Sequence, residues 1–246
     1  MIKKNLLFFL LLLPVIVGGV RCVGEGENRS TATSIAVIGN RADMGGCVMN
    51  LSNAVLAAPE LAGKLKVDDC IEATFTINYS NQPSDKYYTA TEISYVLLNN
   101  DSVIVKTGDM IDDHNDSVKS IALNTSPYYN GNIFVQINRE EVNNHLYDYD
   151  LIFNPDSIDE NGIHTVFLKS KKEDKMSGSQ TNSNLETFNL RSLFAAYGKD
   201  SLYQSGGIEQ RYRYVSLNFK HQSGVKEGIP VYSRSGNKPV DIYIFN

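Results

Sequence analysis

Four histidines and three cysteines are the side chains best suited to chemistry, and their spacing matches no common catalytic or metal site. The histidines are His114, His145, His164 and His221. None shows the His-x-x-x-His spacing or the adjacent glutamate of a zinc site, and none lies near Cys47 or Cys70 in sequence. A Gly-x-Ser-x-Gly nucleophile elbow is absent from the sequence. We therefore expect no enzyme, no metal site and no cofactor.

Two acidic segments also fail to match a metal site. The run from Asp109 to Asp116 lacks the alternating acidic residues and the turn glycine of a calcium loop. Residues 159–162 include the glycine, but no glutamate follows at the distance that would let it bind calcium with both oxygens. A tight turn is the preferred interpretation of residues 159–162.

Cys47 and Cys70 each begin a strand-like run, residues 47–57 and 70–79. If the two runs pair as a hairpin, the cysteines lie at opposite ends of the ladder, about 20 Å apart at roughly 3.3 Å per residue. A disulfide needs Cα atoms within about 7 Å of each other. We predict two thiols here and no disulfide.

The third cysteine, Cys22, follows a segment typical of an export signal. Two lysines precede an apolar run over residues 6–20, which is shorter than the roughly 20 residues of a transmembrane helix. A cysteine directly after such a run favours lipoprotein processing, in which Cys22 becomes the acylated first residue. Residues 1–21 are then the signal peptide, and residues 22–33 form a polar tether.

The residues before Cys22 leave one alternative open. Gly19 and Arg21 depart from the usual pattern, which has a branched apolar residue and then a small residue at these positions. Ordinary cleavage near Gly18 or Gly19 would leave the thiol unmodified. We favour lipidation, because a polar tether follows Cys22. We expect an exported outer-membrane lipoprotein, and the sequence does not distinguish the periplasmic face of that membrane from the cell surface.

The charge of the mature chain limits its partners. From Cys22 onward, the chain carries 20 basic and 28 acidic side chains, a formal net charge of −8. Such a chain repels nucleic acid and anionic lipid surfaces, so we expect no nucleic-acid partner. The membrane is reached through the lipid anchor.

Alternation of polar and apolar residues indicates an all-β protein of two domains. In residues 70–79 the apolar set is Ile71, Ala73, Phe75, Ile77 and Tyr79. Residues 34–106 suit a small β-barrel, residues 107–127 an acidic linker, and residues 128–246 a β-sandwich with one short helix at residues 189–197. We predict an exposed loop over residues 171–184.

This order of parts resembles the NigD-like lipoproteins of Bacteroidetes. The similar segments are residues 67–79, 87–93 and 97–98 in the first half, and 145–153, 164–175 and 214–219 in the second. The sequence Leu51-Ser-Asn stands where the family has an Asp-Asp-Gly turn. The resemblance implies an OB-fold domain followed by a β-sandwich domain, and no established molecular activity.

Two sets of side chains are candidate interaction or modification sites. Stacking surface for a sugar or a peptide is offered by Tyr79, Tyr87, Tyr88 and Tyr95, with packing between strands as the alternative. The triplet Asp-Ser-aliphatic, which resembles the O-glycosylation motif of exported Bacteroidetes proteins, occurs at Ser102, Ser117, Ser157 and Ser201. All four triplets lie in segments that we predict as loops or loop edges, and turn formation is the alternative.

The leading functional hypothesis is an exported, lipid-anchored binding or assembly module of the cell envelope without catalytic activity, whose ligand is a protein or a carbohydrate. The alternative is an accessory factor, such as an immunity or export component, that docks a cognate protein. An enzyme ranks third.

Overall fold

The computed structural model describes residues 28–108, 115–205, 208–236 and 238–245. It is all-β with one short helix, as the sequence predicts. The strands are β1 (Arg29–Arg41), β2 (Gly46–Asn50), β3 (Val55–Ala57), β4 (Cys70–Asn78), β5 (Ala90–Leu98), β6 (Asn100–Ser102), β7 (Ile104–Val105), β8 (Ser120–Asn124), β9 (Asn132–Ile158), β10 (His164–Asn189), β11 (Lys199–Ser205), β12 (Ile208–Lys226), β13 (Ile229–Arg234) and β14 (Val240–Phe245). The helix α1 is Arg191–Tyr197, and short 3₁₀ turns lie at Ala42–Met44, Pro59–Leu61 and Pro127–Tyr129.

The chain divides into two compact units, of which the first ends at Leu97 and the second begins at Leu98. In the first unit the sheet order is β3-β2-β1-β4-β5. The long strand β1 pairs with β4 through its first part and with β2 through its last part. The two ends of this sheet meet at one parallel bridge between Ala57 and Thr89, where Ala57 N–H donates to the Tyr88 carbonyl at 2.9 Å. Among the described residues the sheet therefore does not close into a full barrel. A single bridge, and not a ladder of hydrogen bonds, joins its two ends.

Alternation along β4 places its apolar side chains in the core of the first unit. Ile71, Ala73 and Phe75 are buried, and Ile77 packs against them. Tyr79 lies just beyond the end of β4 and stays partly exposed. The period-2 pattern that predicts this strand therefore also predicts which of its faces is buried.

Cys47 and Cys70 carry thiols, and no disulfide joins them. The predicted hairpin between their two runs is wrong, because β2 and β4 lie on opposite sides of β1. Asn40 is the β1 partner of Cys47, and Val37 is the β1 partner of Cys70. The intervening strand keeps the two thiols apart, so the predicted state is right for a different structural reason.

The second unit is built around a long hairpin, in which β9 and β10 pair antiparallel with register shifts between Lys172 and Ser183. Residues 171–184, predicted as an exposed loop, are part of β10. The polar sequence is tolerated there because the register shifts interrupt a regular ladder, and Lys171, Lys172 and Met176 are exposed. Side chains from both halves of the hairpin share one core, including Ile133, Leu151 and Phe188, so the hairpin must bend over that core.

Part of the segment predicted as a linker, residues 107–127, is a strand. β8 pairs with β9 from Ser120 to Asn124, and Ile121 is buried. The prediction of a linker is wrong for this part, because Val118 and Ile121 are buried in the core of the second unit and Leu123 packs against it, which together with the β9 ladder holds a short polar strand.

β12 is the strand that positions the candidate site. It runs parallel to β10 and antiparallel to β11, β13 and β14. Val215, Leu217 and Phe219 point into the core. The alternate side chains of β12 therefore lie on the outer face of the sheet.

Candidate functional site

The structure brings two of the four predicted stacking tyrosines together. The rings of Tyr79 and Tyr88 meet edge to face, with centroids 5.3 Å apart and an interplanar angle of 82°. The two side chains are 38% and 47% exposed. Burial and the neighbouring Tyr88 raise the pKa of Tyr79.

The other two predicted tyrosines lie elsewhere in the first unit. Tyr87 packs against a small cluster of Met44, Val48 and Ala57, as expected of a core aromatic. Tyr95 is partly exposed on β5. The predicted set is therefore one exposed pair, one packing residue and one separate surface residue.

Three tyrosines that the sequence analysis did not select form a larger aromatic surface on the second unit. Tyr212 and Tyr214 lie on the outer face of β12, and Tyr243 lies opposite Tyr214 on β14. The ring centroids of Tyr214 and Tyr243 are 6.3 Å apart at an angle of 33°. Tyr212 lies 5.4 Å from Tyr243 at 63°. We call Tyr212, Tyr214 and Tyr243 the tyrosine face.

Polar groups border the tyrosine face. The Ser216 hydroxyl donates to the Asp241 carboxylate, and this pair lies next to Tyr214 and Tyr243 along the two strands. Lys199 lies opposite Tyr214 in the β11–β12 register. Burial raises the pKa of Tyr243, and so do the Asp241 carboxylate, the neighbouring Tyr212 and a hydrogen bond between Tyr243 and Asp241.

The signal for this surface was present in residues 211–219. The alternation that predicts the core positions Val215, Leu217 and Phe219 also places Tyr212 and Tyr214 together on the opposite face. Tyr243 could not be added from sequence, because its position depends on the pairing of β12 with β14.

A second polar cluster surrounds Arg139, whose side chain is 6% exposed. Its Nε and Nη2 donate to the Tyr149 hydroxyl at 3.3 and 3.2 Å, Nη1 donates to the Ser117 carbonyl at 3.1 Å, and Nη2 also donates to the Ser170 hydroxyl. The guanidinium carbon lies 3.2 Å from the centroid of the Tyr147 ring. These contacts satisfy a buried cation with neutral acceptors and an aromatic face.

Glu186 is the described carboxyl group whose acidity is changed most. Burial, followed by repulsion from Asp101 and Asp148, raises the pKa of Glu186 to about 7. The Glu186 side chain is half-buried on β10. Because its pKa is about 7, the carboxyl group is partly protonated at neutral pH. A raised carboxyl pKa is common both at functional sites and in structural clusters, so we treat Glu186 as a determinant of stability.

The described histidines occupy structural surroundings. His164 lies in a trio of rings with Phe153 and Tyr197, each pair about 5 Å apart. Burial lowers the pKa of His164 and of His221. His114 lies outside the described residues. Within the described ranges no group of three or more His, Cys, Asp or Glu side chains is placed to hold a metal.

The four triplet serines differ in exposure. Ser102 and Ser117 are exposed, whereas Ser157 and Ser201 are half-buried. We predict their triplets in loops or at loop edges: Ser117 lies outside the strands, and Ser102 and Ser157 lie at the ends of β6 and β9. Ser201 lies within β11, where pairing with β12 extends the strand beyond what its local composition indicates. Modification of these serines remains a prediction.

The expected signal peptide and Cys22 lie outside the described residues, as does most of the acidic run from Asp109. In the part of the chain that the structure describes, no helix has the length and apolar character needed to cross a bilayer.

Comparison with known proteins finds similar folds. No protein-family model matches the chain, and no curated protein matches it significantly. A crystal structure of an uncharacterised protein from Parabacteroides merdae is similar over 87% of this chain and 98% of that one, with a TM-score of 0.56 and 13% identity. This likeness shows the fold.

Two weaker matches come from Bacteroides. A candidate lipoprotein from Bacteroides fragilis covers 87% of this chain and 96% of its own, with a TM-score of 0.45 and 12% identity. A NigD-like immunity protein from Bacteroides caccae covers 82% and 91%, with a TM-score of 0.46 and 12% identity.

Proposed function

We propose that this protein is an exported, envelope-held binding module without catalytic chemistry, and that it contacts its ligand through the tyrosine face. The observation that carries the proposal is the grouping of Tyr212, Tyr214 and Tyr243, each half-buried, on neighbouring strands and on the face opposite the core. Tyrosine offers rigid aromatic area and a hydroxyl at low entropic cost, which suits it to recognition surfaces.

The envelope location rests on the N-terminal sequence. The apolar run over residues 6–20 predicts export, and Cys22 directly after it is the expected site of acylation. The resemblance to NigD-like lipoproteins of Bacteroidetes points to the same compartment. We propose the outer membrane as the site of anchoring.

Sedimentation of the released protein with native envelopes tests this function. The full chain carrying Cys22→Ala is exported and collected in soluble form. It should sediment with envelopes that do not contain the lipid-anchored protein. Adding Tyr214→Ala and Tyr243→Ala should reduce the sedimented fraction at least severalfold, whereas Tyr88→Ala in the first unit should leave it unchanged. Equal sedimentation of all variants would contradict the proposal.

A second candidate function is an accessory factor that docks a cognate protein. The irregular middle of the β9–β10 hairpin supports it, because Val142 and Met176 are 59% and 61% exposed there and Leu146 is 37% exposed. Exposed apolar side chains concentrated in one segment can mark a protein contact. If this candidate is right, Val142→Glu with Met176→Glu should abolish a stoichiometric protein complex isolated from the envelope, and the tyrosine variants should retain that complex.

A further inference from the structure

The tyrosine face also indicates the class of ligand. Resting on the function proposed above, we propose that this face binds a neutral glycan, with a pyranose ring stacked on Tyr214 and Tyr243 and its hydroxyls bonded to the Ser216–Asp241 pair. Ring geometry, hydrogen-bonding groups and charge support this assignment separately.

The ring geometry suits one face of a sugar. The rings of Tyr214 and Tyr243 are tilted by 33° with centroids 6.3 Å apart, and Tyr212 meets Tyr243 at 63°. All three side chains are half-buried, so part of each ring is accessible to a ligand. A pyranose presents a flat array of C–H groups with slight positive charge, which is complementary to the negative face of an aromatic ring.

The bordering groups suit the hydroxyls of a sugar. Asp241 already accepts a hydrogen bond from Ser216, so the carboxylate is fixed in orientation while its exposed side can accept from a ligand hydroxyl. Lys199 can donate to a ligand hydroxyl, whereas the Tyr243 hydroxyl donates to Asp241 and can accept from the ligand. A few placed polar groups beside an apolar surface are what orient a small polar ligand.

Charge favours a neutral glycan over an acidic one. The carboxylate of Asp241 lies at the edge of the tyrosine face, and the mature chain carries a formal net charge of −8. The net charge would repel uronate-rich or sulfated polymers at long range, and Asp241 would repel them at contact, with Lys199 offsetting part of that local repulsion.

An open surface predicts weak affinity for a single sugar chain. Such a site leaves much of the ligand in water, so we expect a Kd of roughly 0.1–1 mM for one neutral oligosaccharide. Many anchored copies facing a repeating polymer would strengthen the attachment by avidity.

A glycan array followed by calorimetric titration tests the assignment. The soluble Cys22→Ala chain is applied to neutral glucans, mannans and galactans beside heparin and polygalacturonate. We expect binding to at least one neutral glycan and a stronger response there than to either polyanion. Titration of the best neutral oligosaccharide should show at least about a tenfold loss of affinity for Tyr214→Ala and Tyr243→Ala, with Tyr88→Ala as the matched control.

Two milder variants keep the test valid if an alanine variant fails to fold. Tyr243→Phe and Asp241→Asn preserve the rings and should each weaken neutral-glycan binding severalfold. Preference for the polyanions, or unchanged affinity in all four face variants, would overturn the glycan assignment. Absence of neutral-glycan binding while envelope sedimentation still depends on Tyr214 and Tyr243 would overturn the glycan but leave the binding function intact. Sedimentation independent of both residues would overturn the two together.

Discussion

At the residue scale, Arg139 shows how the second unit holds a buried charge. Its described hydrogen-bond acceptors are the neutral oxygens of Tyr149, Ser117 and Ser170, and the Tyr147 ring covers the guanidinium. The planar guanidinium reaches several of these acceptors at once, which an ammonium group cannot do.

We therefore expect Arg139→Lys to destabilise the protein more than Arg139→Met. The lysine keeps a buried charge but loses most of its hydrogen bonds, at a cost of about 2–4 kcal/mol in the free energy of unfolding. Methionine removes the charge and retains much of the packing volume. Denaturant unfolding of both variants measures the difference, and a lysine variant as stable as the parent would contradict this view of Arg139.

Glu186 should make stability depend on pH. Because the pKa of Glu186 rises from 4.5 to about 7 on folding, the folded state binds its proton more tightly than the unfolded state. The stabilisation is fully present below pH 4.5 and is lost as the pH rises to about 7. Glu186→Gln should remove this dependence and raise the free energy of unfolding at pH 8 by about 1–3 kcal/mol.

Glu140→Gln is the matched control for Glu186, because the Glu140 side chain is exposed and pairs only loosely with Lys119 at 3.7 Å. Glu140→Gln should change the free energy of unfolding by less than about 0.5 kcal/mol, both below pH 4.5 and at about pH 8. Parallel pH profiles of the parent and Glu186→Gln would show that Glu186 ionises normally.

At the element scale, the junction between α1 and β11 fixes one border of the tyrosine face. A Cβ at Gly198 would lie 2.6 Å from the Phe194 carbonyl oxygen, and the Gly198 carbonyl accepts from Arg213 Nη2 at 2.9 Å. The chain therefore needs glycine where the helix ends and β11 begins.

Gly198→Ala should lower the free energy of unfolding by about 1–3 kcal/mol, because the backbone must shift to relieve the contact. Gly224→Ala on β12 is the matched control, since a Cβ there has no neighbour within 4 Å. Its stability should be unchanged or higher by less than about 1 kcal/mol. Equal thermal unfolding of the two variants would contradict the proposed role of Gly198.

The elements also show how far sequence can predict this protein. Alternation identifies β4 and the core face of β12, because each strand has one buried face. It fails for residues 171–184 and for Ser120–Asn124, where polar strands are held by long-range pairing to β9. The tyrosine face lies between these cases: Tyr212 and Tyr214 follow from alternation, but Tyr243 joins them only through the β12–β14 register.

At the scale of the whole molecule, the three cysteines report on processing. Cys47 and Cys70 carry thiols in the first unit, where burial raises the pKa of Cys47. If Cys22 is acylated, thiol counting on the mature, denatured and non-reduced protein should find two thiols, and Cys22→Ala should release the chain to the soluble fraction. A third reactive thiol in the mature protein, or equal membrane retention of the variant, would contradict acylation.

Photocross-linking in living cells tests the central claim, that the tyrosine face is the contact surface, most directly. A benzophenone amino acid replaces the half-buried Tyr243 in the anchored protein, and the control carries it in place of Tyr88, which is 47% exposed. The account predicts adducts with an envelope component from position 243, carrying glycan mass, and few from position 88. Equal yields from the two positions, or adducts from position 88 alone, would contradict it.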